Sequence, residues 1–214
     1  MMDNRNFIAH RAAQYFHSGD VVNLGIGIPS LCGNYAENGV LFQSENGYIG
    51  VGATAEGLEF NERTINAGGI PFTPVMGACG FDVAMSFGVI RSGRMAATVL
   101  GALQVSEHGD LANWARPGSY PGMGGAMDLV SGIRDVIVMT DHCAKNGSPK
   151  IVSECTLPLT GRRVVKAIVT ELALFDVSAT EGLTLVEHRE GVSVEEIRAK
   201  TGAPFKVAPD LKIM

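Results

Sequence analysis

Apolar positions along this chain gather in short, nearly unbroken runs separated by glycine-bearing turns, and few segments show the wider spacing of an amphipathic helix. Residues 5 to 18 carry Phe7, Ile8, Ala12, Tyr15 and Phe16 at helical intervals, which predicts a helix closing on Ser18-Gly19-Asp20. VVNLG (21–25) reads as a short strand, after which Pro29 suits the first turn of a helix reaching about Glu37. GVLFQ (39–43) predicts the next strand, and the polar ATAEGLEFNERT (53–64) an exposed loop or short helix. FDVAMSFGVIRSG (81–93) reads as a helix stopped by Gly93, and MAATVLGALQVS (95–106) as one long buried strand. RDVIVMTDH (134–142) is apolar at nearly every position, as a strand covered on both faces should be. VVKAIVTELALFDV and GLTLVEH supply strands near the end, and SVEEIRAKTG (193–202) is a helix with Ser193 as cap, Glu196 three residues on and Gly202 as stop. Strands interleaved with helices predict an α/β fold, an open and largely parallel sheet flanked by helices, in a single domain spanning 1–214.

Composition narrows the function. The 214 residues can bury about 70% of their unfolded surface. Glycine, at 27 residues, is roughly twice its ordinary usage and falls singly or in pairs between apolar runs, as turns and close backbone approaches do. Hydrophobic residues make up 46% and charged residues only 18%, which fits either a surface partly covered by another chain or an ordinary monomer. The net charge of −5, without any Lys/Arg run, excludes a phosphate backbone as the expected partner. No segment has the length of a membrane span or the apolar core of a signal peptide, so a cytoplasmic setting without membrane attachment is expected. Cys32, Cys79, Cys143 and Cys155 lie far apart and are expected reduced; the five histidines have no metal-ligand spacing, so no metal is expected.

Three glycine-bracketed stretches carry candidate chemistry. NLGIGIP (23–29) places Asn23, Gly25 and Gly27 between a strand and a helix start, where backbone amides can meet an anion, although Ser30 breaks the dinucleotide-binding spacing. SENGYIGVG (44–52) sets the carboxylate of Glu45 at a strand end, followed by Asn46 and Gly47; it reads either as a surface turn or as a carboxylate nucleophile. PGMGGAMDLVSG (121–132) offers Gly122, Gly124 and Gly125, which would let an N–H face a developing oxyanion without a Cβ in the way, or would simply pack a loop. His142 and Cys143 are adjacent and would point to opposite faces of a continuing strand, and Trp114 is expected to anchor a loop.

Taken in order, VNLGIGIP, QSENG, INAGG, LGALQVSEHGDLANW, GMGGAMDLV and CTLPLTG resemble the β subunit of family I coenzyme A transferases, over about residues 4 to 208. That resemblance implies the CoA-transferase (NagB/RpiA-like) fold, a catalytic glutamate at Glu45, and a separate α subunit of similar size, as two α and two β subunits. It matches Asn23 to an asparagine near the reacting carboxylate and Gly125 to the glycine whose amide helps form the oxyanion site. Gly122, Gly124 and Asn46 are taken as its neighbours in binding, and Gly25, Gly27 and Gly47 as room for the approach of coenzyme A. Coenzyme A enters as substrate, with no permanently bound cofactor. Gly69 in INAGG resembles the bacterial acetate/acetoacetate branch, where the succinyl-CoA:3-oxoacid branch has lysine.

The expected activity is therefore transfer of coenzyme A between an acyl-CoA and a short-chain or 3-oxo acid, by a ping-pong route through a glutamyl-CoA thioester. Two alternatives remain open at this point: an acyl-CoA hydrolase or CoA-ester lyase on the same fold, and a regulatory subunit without chemistry.

Overall fold

In a computed structural model, the described residues are 2–35, 39–55, 57 and 61–214. The far end of the helix expected to reach Glu37, and part of the stretch 53–64, lie outside them. The chain opens with α1 (Asn4–Ala13), β1 (Val21–Leu24), a 3-10 helix (Ile28–Tyr35), β2 (Leu41–Ser44), β3 (Tyr48–Thr54) and β4 (Phe72–Gly80). It continues with α2 (Val83–Arg91), β5 (Ala97–Leu100), β6 (Gln104–Ser106), β7 (Leu111–Ala112), α3 (Ala126–Gly132), β8 (Asp135–Met139) and β9 (Ile151–Val152). The last part holds β10 (Val165–Val169), β11 (Ala173–Ser178), β12 (Gly182–His188), α4 (Val194–Lys200) and β13 (Phe205–Ile213).

Ten strands form one sheet in the order β13-β12-β11-β10-β8-β5-β1-β2-β3-β4. Its centre, β10-β8-β5-β1-β2, is parallel throughout, as the unbroken apolar runs predict, while β3 and β4 add antiparallel at one edge. Alternation along β8 sends Val136 and Val138 to one face and Ile137 and Met139 to the other. On the first face the sheet packs against α2, α3 and α4 through Ile90, Leu129 and Ile197. On the second it packs against α1 and the 3-10 helix through Ile8, Ala12 and Cys32. From β1 the chain passes through the 3-10 helix to β2, whereas from β5 it passes through α3 to β8 on the opposite side. The order thus reverses between β1 and β5. Such a switch point opens a crevice at the carboxyl ends of the strands.

Several boundaries differ from expectation. MAATVLGALQVS is not one strand: β5 ends at Leu100, and β6 belongs to a separate three-stranded sheet with β7 and β9. The chain leaves the main sheet over Gly101–Leu103, where the carbonyl of Ala102 accepts from Thr140 Oγ1 (3.1 Å) and Leu103 N–H donates to Ala112 (2.9 Å). The first helix is shorter than 5–18, running from an Asp3 cap to Ala13. The segment after Pro29 winds as a 3-10 helix rather than an α-helix. Ser193 does cap α4, accepting from Glu196 N–H at 3.1 Å, but the helix ends on an extended Thr201 rather than on a left-handed Gly202.

Candidate active site

The crevice at the switch point is a cavity of about 450 Å³. Its floor is the end of β1 (Leu24 to Ile26) and the exit from β5 (Leu100 to Leu103); Pro121 to Ala126 form one wall. Glu45 is its titratable side chain. Glu45 follows β2 directly. Two residues earlier, Gln43 points towards α2 and donates from Nε2 to the buried Ser86 Oγ at 2.9 Å, so Glu45 emerges on the side where α2 and α3 pack.

A glycine stands against the Glu45 carboxylate. A Cβ placed on Gly125 would fall 2.3 Å from Glu45 Oε2 and 2.8 Å from its carboxyl carbon, so only glycine admits the carboxylate there. Gly125 precedes α3 with an ordinary helical backbone (φ −70°), so its identity follows from this contact and not from backbone freedom. Gly122 and Gly124 also line the cavity and have left-handed backbones (φ 93° and 56°). Among the described residues, the Glu45 carboxylate has no hydrogen-bond or ion-pair partner, and the Gly125 N–H has no acceptor. Burial pushes the Glu45 carboxyl above its ordinary value, and the neighbouring charge of Asp128 pushes it the same way.

The other expected residues divide. Gly25 lines the cavity; its N–H bonds the Val99 carbonyl at 2.8 Å, and a Cβ would strike that same oxygen. Gly27, left-handed at φ 94°, has open space around its Cβ position. Asn23 is fully buried on β1 instead of lining the cavity. Its Oδ1 accepts from Thr98 Oγ1 (2.8 Å) and its Nδ2 donates to Gln43 Oε1 (2.6 Å). Thr98, Asn23, Gln43 and Ser86 thus form a buried polar row across β5, β1 and β2 to α2, fixing the strand from which Glu45 projects. Asn46 is exposed and its Nδ2 donates to the Ile65 carbonyl (2.8 Å). Gly47 departs from the expectation of room for a ligand. Its Cβ position lies 2.1 Å from the Phe81 carbonyl oxygen, and with φ at 115° it lets β2 and β3 turn beneath the start of α2. Gly50 and Gly52 likewise make room for Ala78 and the Thr73 carbonyl of β4.

The INAGG turn reaches the cavity at Ala67, as do residues 100–103, Asn113 and Trp114, none of them a site residue expected from the sequence. Ala67 N–H donates to Ser44 Oγ at 2.8 Å, pinning the turn beside the end of β2, and Asn66 Oδ1 accepts from the N–H groups of Gly68 and Ile70. Gly69 takes the left-handed position of that turn (φ 74°). Trp114 anchors its loop through Nε1 to the Leu159 carbonyl (3.3 Å), as expected, but also faces the cavity. The signal for Trp114 was present: a lone tryptophan beside a glycine-rich loop. His142 lies beyond the end of β8, buried between Thr170 and Thr201 and not paired with Cys143. Among the described residues no group of His, Cys, Asp or Glu could hold a metal ion, and no helix is long and apolar enough to cross a membrane.

Comparison with known proteins points in one direction. The family profile for coenzyme A transferase matches residues 6–200. Over 98% of its length, and 97% of the relative's, the chain is 48% identical to the beta subunit of acetate CoA-transferase of Escherichia coli K12. It is 46% identical to a succinyl-CoA:3-ketoacid coenzyme A transferase subunit of Helicobacter pylori strain 26695, covering 95% of this chain and 99% of that one. It is 49% identical to a mitochondrial succinyl-CoA:3-ketoacid coenzyme A transferase of Mus musculus, of which it spans only 41%. Among solved structures, an acyl-CoA transferase of Escherichia coli O157:H7 superposes with a TM-score of 0.77 at 20% identity, over 99% of this chain and 43% of that one. The decarboxylase AibA/AibB superposes at 0.74 and 18% identity, over 100% and 89%. These last two likenesses concern the fold.

Proposed function

Because the chain belongs to the coenzyme A transferase family, we propose that it is the subunit carrying the catalytic carboxylate, with Glu45 as the transient carrier of coenzyme A. The single observation that supports this most is the contact of Glu45 with Gly125: an unpartnered, half-buried carboxylate against a backbone whose N–H is free. The family works on coenzyme A as a substrate. The relatives' names favour short-chain or 3-oxo acids as the exchanged carboxylates, of the acetate/acetoacetate type.

In this reading a Glu45 oxygen attacks the thioester carbonyl of the donor. The C–S bond breaks, coenzyme A leaves as thiolate, and an acyl-glutamyl anhydride remains. The thiolate then attacks the Glu45 carbonyl carbon, forming the glutamyl-CoA thioester and releasing the first acid as its carboxylate. The acceptor carboxylate attacks that thioester and the two steps run in reverse. A thioester is exchanged for a thioester, so no outside energy source enters.

A hydrated carboxylate is a weak nucleophile. Burial removes part of its shell, and orientation at near-attack distance supplies several kcal/mol. Each tetrahedral oxyanion needs a donor. The Gly125 N–H is the first choice, and a donor of this kind is worth about 10²–10³ in rate. Asn23 acts at one remove, by fixing Gln43 and with it the end of β2. Gly122 and Gly124 shape the wall, Gly25 and Gly27 leave the approach for the pantetheine thiol open, and Asn46 holds the Ile65 end of the INAGG turn.

The reading includes a second chain. The cavity is open in this chain alone. Two relatives that match it end to end are named as subunits, while the mouse enzyme carries the matching region within a chain more than twice as long. An α subunit closing the cavity fits these facts, and we propose an assembly of two α and two β subunits in the cytoplasm.

Transfer assayed with the partner subunit tests the reading. Glu45→Gln, which keeps shape and removes the nucleophilic charge, should lose at least about 10³ of kcat, the scale of removing a covalent catalyst. Retention of a tenth of the rate would place the nucleophile elsewhere. Release of coenzyme A without an acceptor carboxylate, at the rate of transfer, would favour a hydrolase.

A further inference from the structure

Two helices that contribute nothing to covalent chemistry frame Glu45, and one ion pair joins them. Arg91, in the last turn of α2, donates from Nη1 to Asp128 Oδ1 of α3 at 2.7 Å. At the same junction Gly132 admits the carbonyl of Ile90, which a Cβ would meet at 2.8 Å, so the helices touch backbone to backbone. The other end of α2 is tied to the nucleophile's turn: Phe81 N–H donates to the Gly47 carbonyl (2.9 Å), and Ser86 receives Gln43. The other end of α3 begins at Gly125, against the carboxylate itself. Following these contacts gives a closed ring: Glu45, Gly47, Phe81, α2, Arg91, Asp128, α3, Gly125 and back to Glu45.

We propose that the Arg91–Asp128 pair is a positioning device for Glu45, locking α2 to α3 so that the carboxylate and the Gly125 amide keep their separation, and presenting to the carboxylate an acidic charge that Arg91 partly offsets. The inference rests on the reading of Glu45 only for its catalytic consequence. The ring itself is geometry. Among the described residues lining the cavity no further charge faces Glu45: the ends of β1 and β5 present Gly25, Ile26 and Leu100 to Leu103, the INAGG turn presents Ala67, and the glycine wall is uncharged. Asp128 is the charge that acts on the Glu45 carboxyl, and Arg91, bonded to Asp128 at 2.7 Å, lies behind it. Arg91 also lies 5.8 Å from the Phe87 ring, which keeps its guanidinium over α2 and aimed at α3.

Both members are partly solvent-exposed, so neither substitution removes core, and the effects separate by sign. In Asp128→Asn the repelling charge is lost, and the Glu45 carboxyl should titrate at lower pH. In Arg91→Gln the offset is lost, and it should titrate at higher pH. Arg91→Lys keeps the charge and should leave the midpoint near the parent's. The midpoint is read by carbon-13 NMR of glutamate carboxyls in the full chain, with the Glu45 signal identified by its absence in Glu45→Gln. Together with the partner subunit, the acid limb of kcat/KM should move with the same signs. The plateau should fall about two- to fivefold in Asp128→Asn and Arg91→Gln, the scale of losing a partly exposed ion pair. A merely structural pair would lower the plateau without moving the two midpoints in opposite directions. Midpoints that stay put, or that shift together, overturn the proposal. If one variant fails to fold, the sign found in the other still decides. Opposite shifts in a protein whose Glu45→Gln variant still transfers would keep the clamp and dismiss Glu45 as carrier.

Discussion

At the scale of single residues, the candidate site turns on one missing methyl group. Gly125 has a backbone that alanine adopts freely, so Gly125→Ala should leave the thermal midpoint within a few degrees of the parent. The new Cβ would nevertheless stand 2.3 Å from Glu45 Oε2, and the carboxylate must move. The expected outcome is a loss of transfer of about 10²–10³ with little loss of stability, measured by steady-state kinetics beside a thermal melt. Unchanged kinetics would mean that this contact has no part in the chemistry. The residues that made this legible in the sequence, Glu45 and the GMGG run, are ones whose type has little structural reason to stand where it does. Asn23 and Gly47 stand back from that contact for the converse reason. A buried asparagine and a left-handed glycine look functional, yet both serve the chain's own framework: a polar row across three strands, and a turn under Phe81.

Among the elements, the strands of the parallel centre were readable because burial on both faces leaves unbroken apolar runs such as VIVM. The edge was not readable: β4, FTPVMGACG, is largely exposed, carries a proline and two glycines, and offers no periodicity to follow. The division of residues 95–106 between two sheets was equally hidden, since side chains stay apolar through the bend and the diagnostic bonds come from Thr140 and Ala112, far along the chain. His142 shows what such distant partners do. It joins the end of β10 to the end of α4 through Thr170 (3.0 Å) and Thr201 (2.9 Å), and burial pushes it down from 6.5 to about 4. The imidazole must stay neutral in the folded chain, whereas in the unfolded chain it takes a proton near 6.5. Stability is therefore fully present above that value and declines as pH falls towards 4, by about 3 kcal/mol in all. Urea unfolding between these pH values should show the decline in the parent and a flatter profile in His142→Gln. Equal slopes would mean that the imidazole is not held neutral.

For the whole molecule, the cavity lies where the strand order reverses, and its exposed rim is unusually apolar: Ile26, Tyr120 and Met127 are each about half or more exposed at or beside lining positions. A family whose members include both separate subunits and chains more than twice this length fits a site shared with a second polypeptide. Closure by that polypeptide would complete the exclusion of water that a glutamyl thioester needs to survive. The central claim, that Glu45 carries coenzyme A, has a direct measurement. The chain and its partner subunit are mixed with acyl-CoA and no acceptor, quenched, and analysed by intact mass and peptide mapping. The account predicts that this chain gains the mass of coenzyme A less one water, on the peptide containing Glu45, and that adding a carboxylate acceptor before the quench discharges it. A complex that turns over at full rate while this chain keeps its unmodified mass would contradict the account.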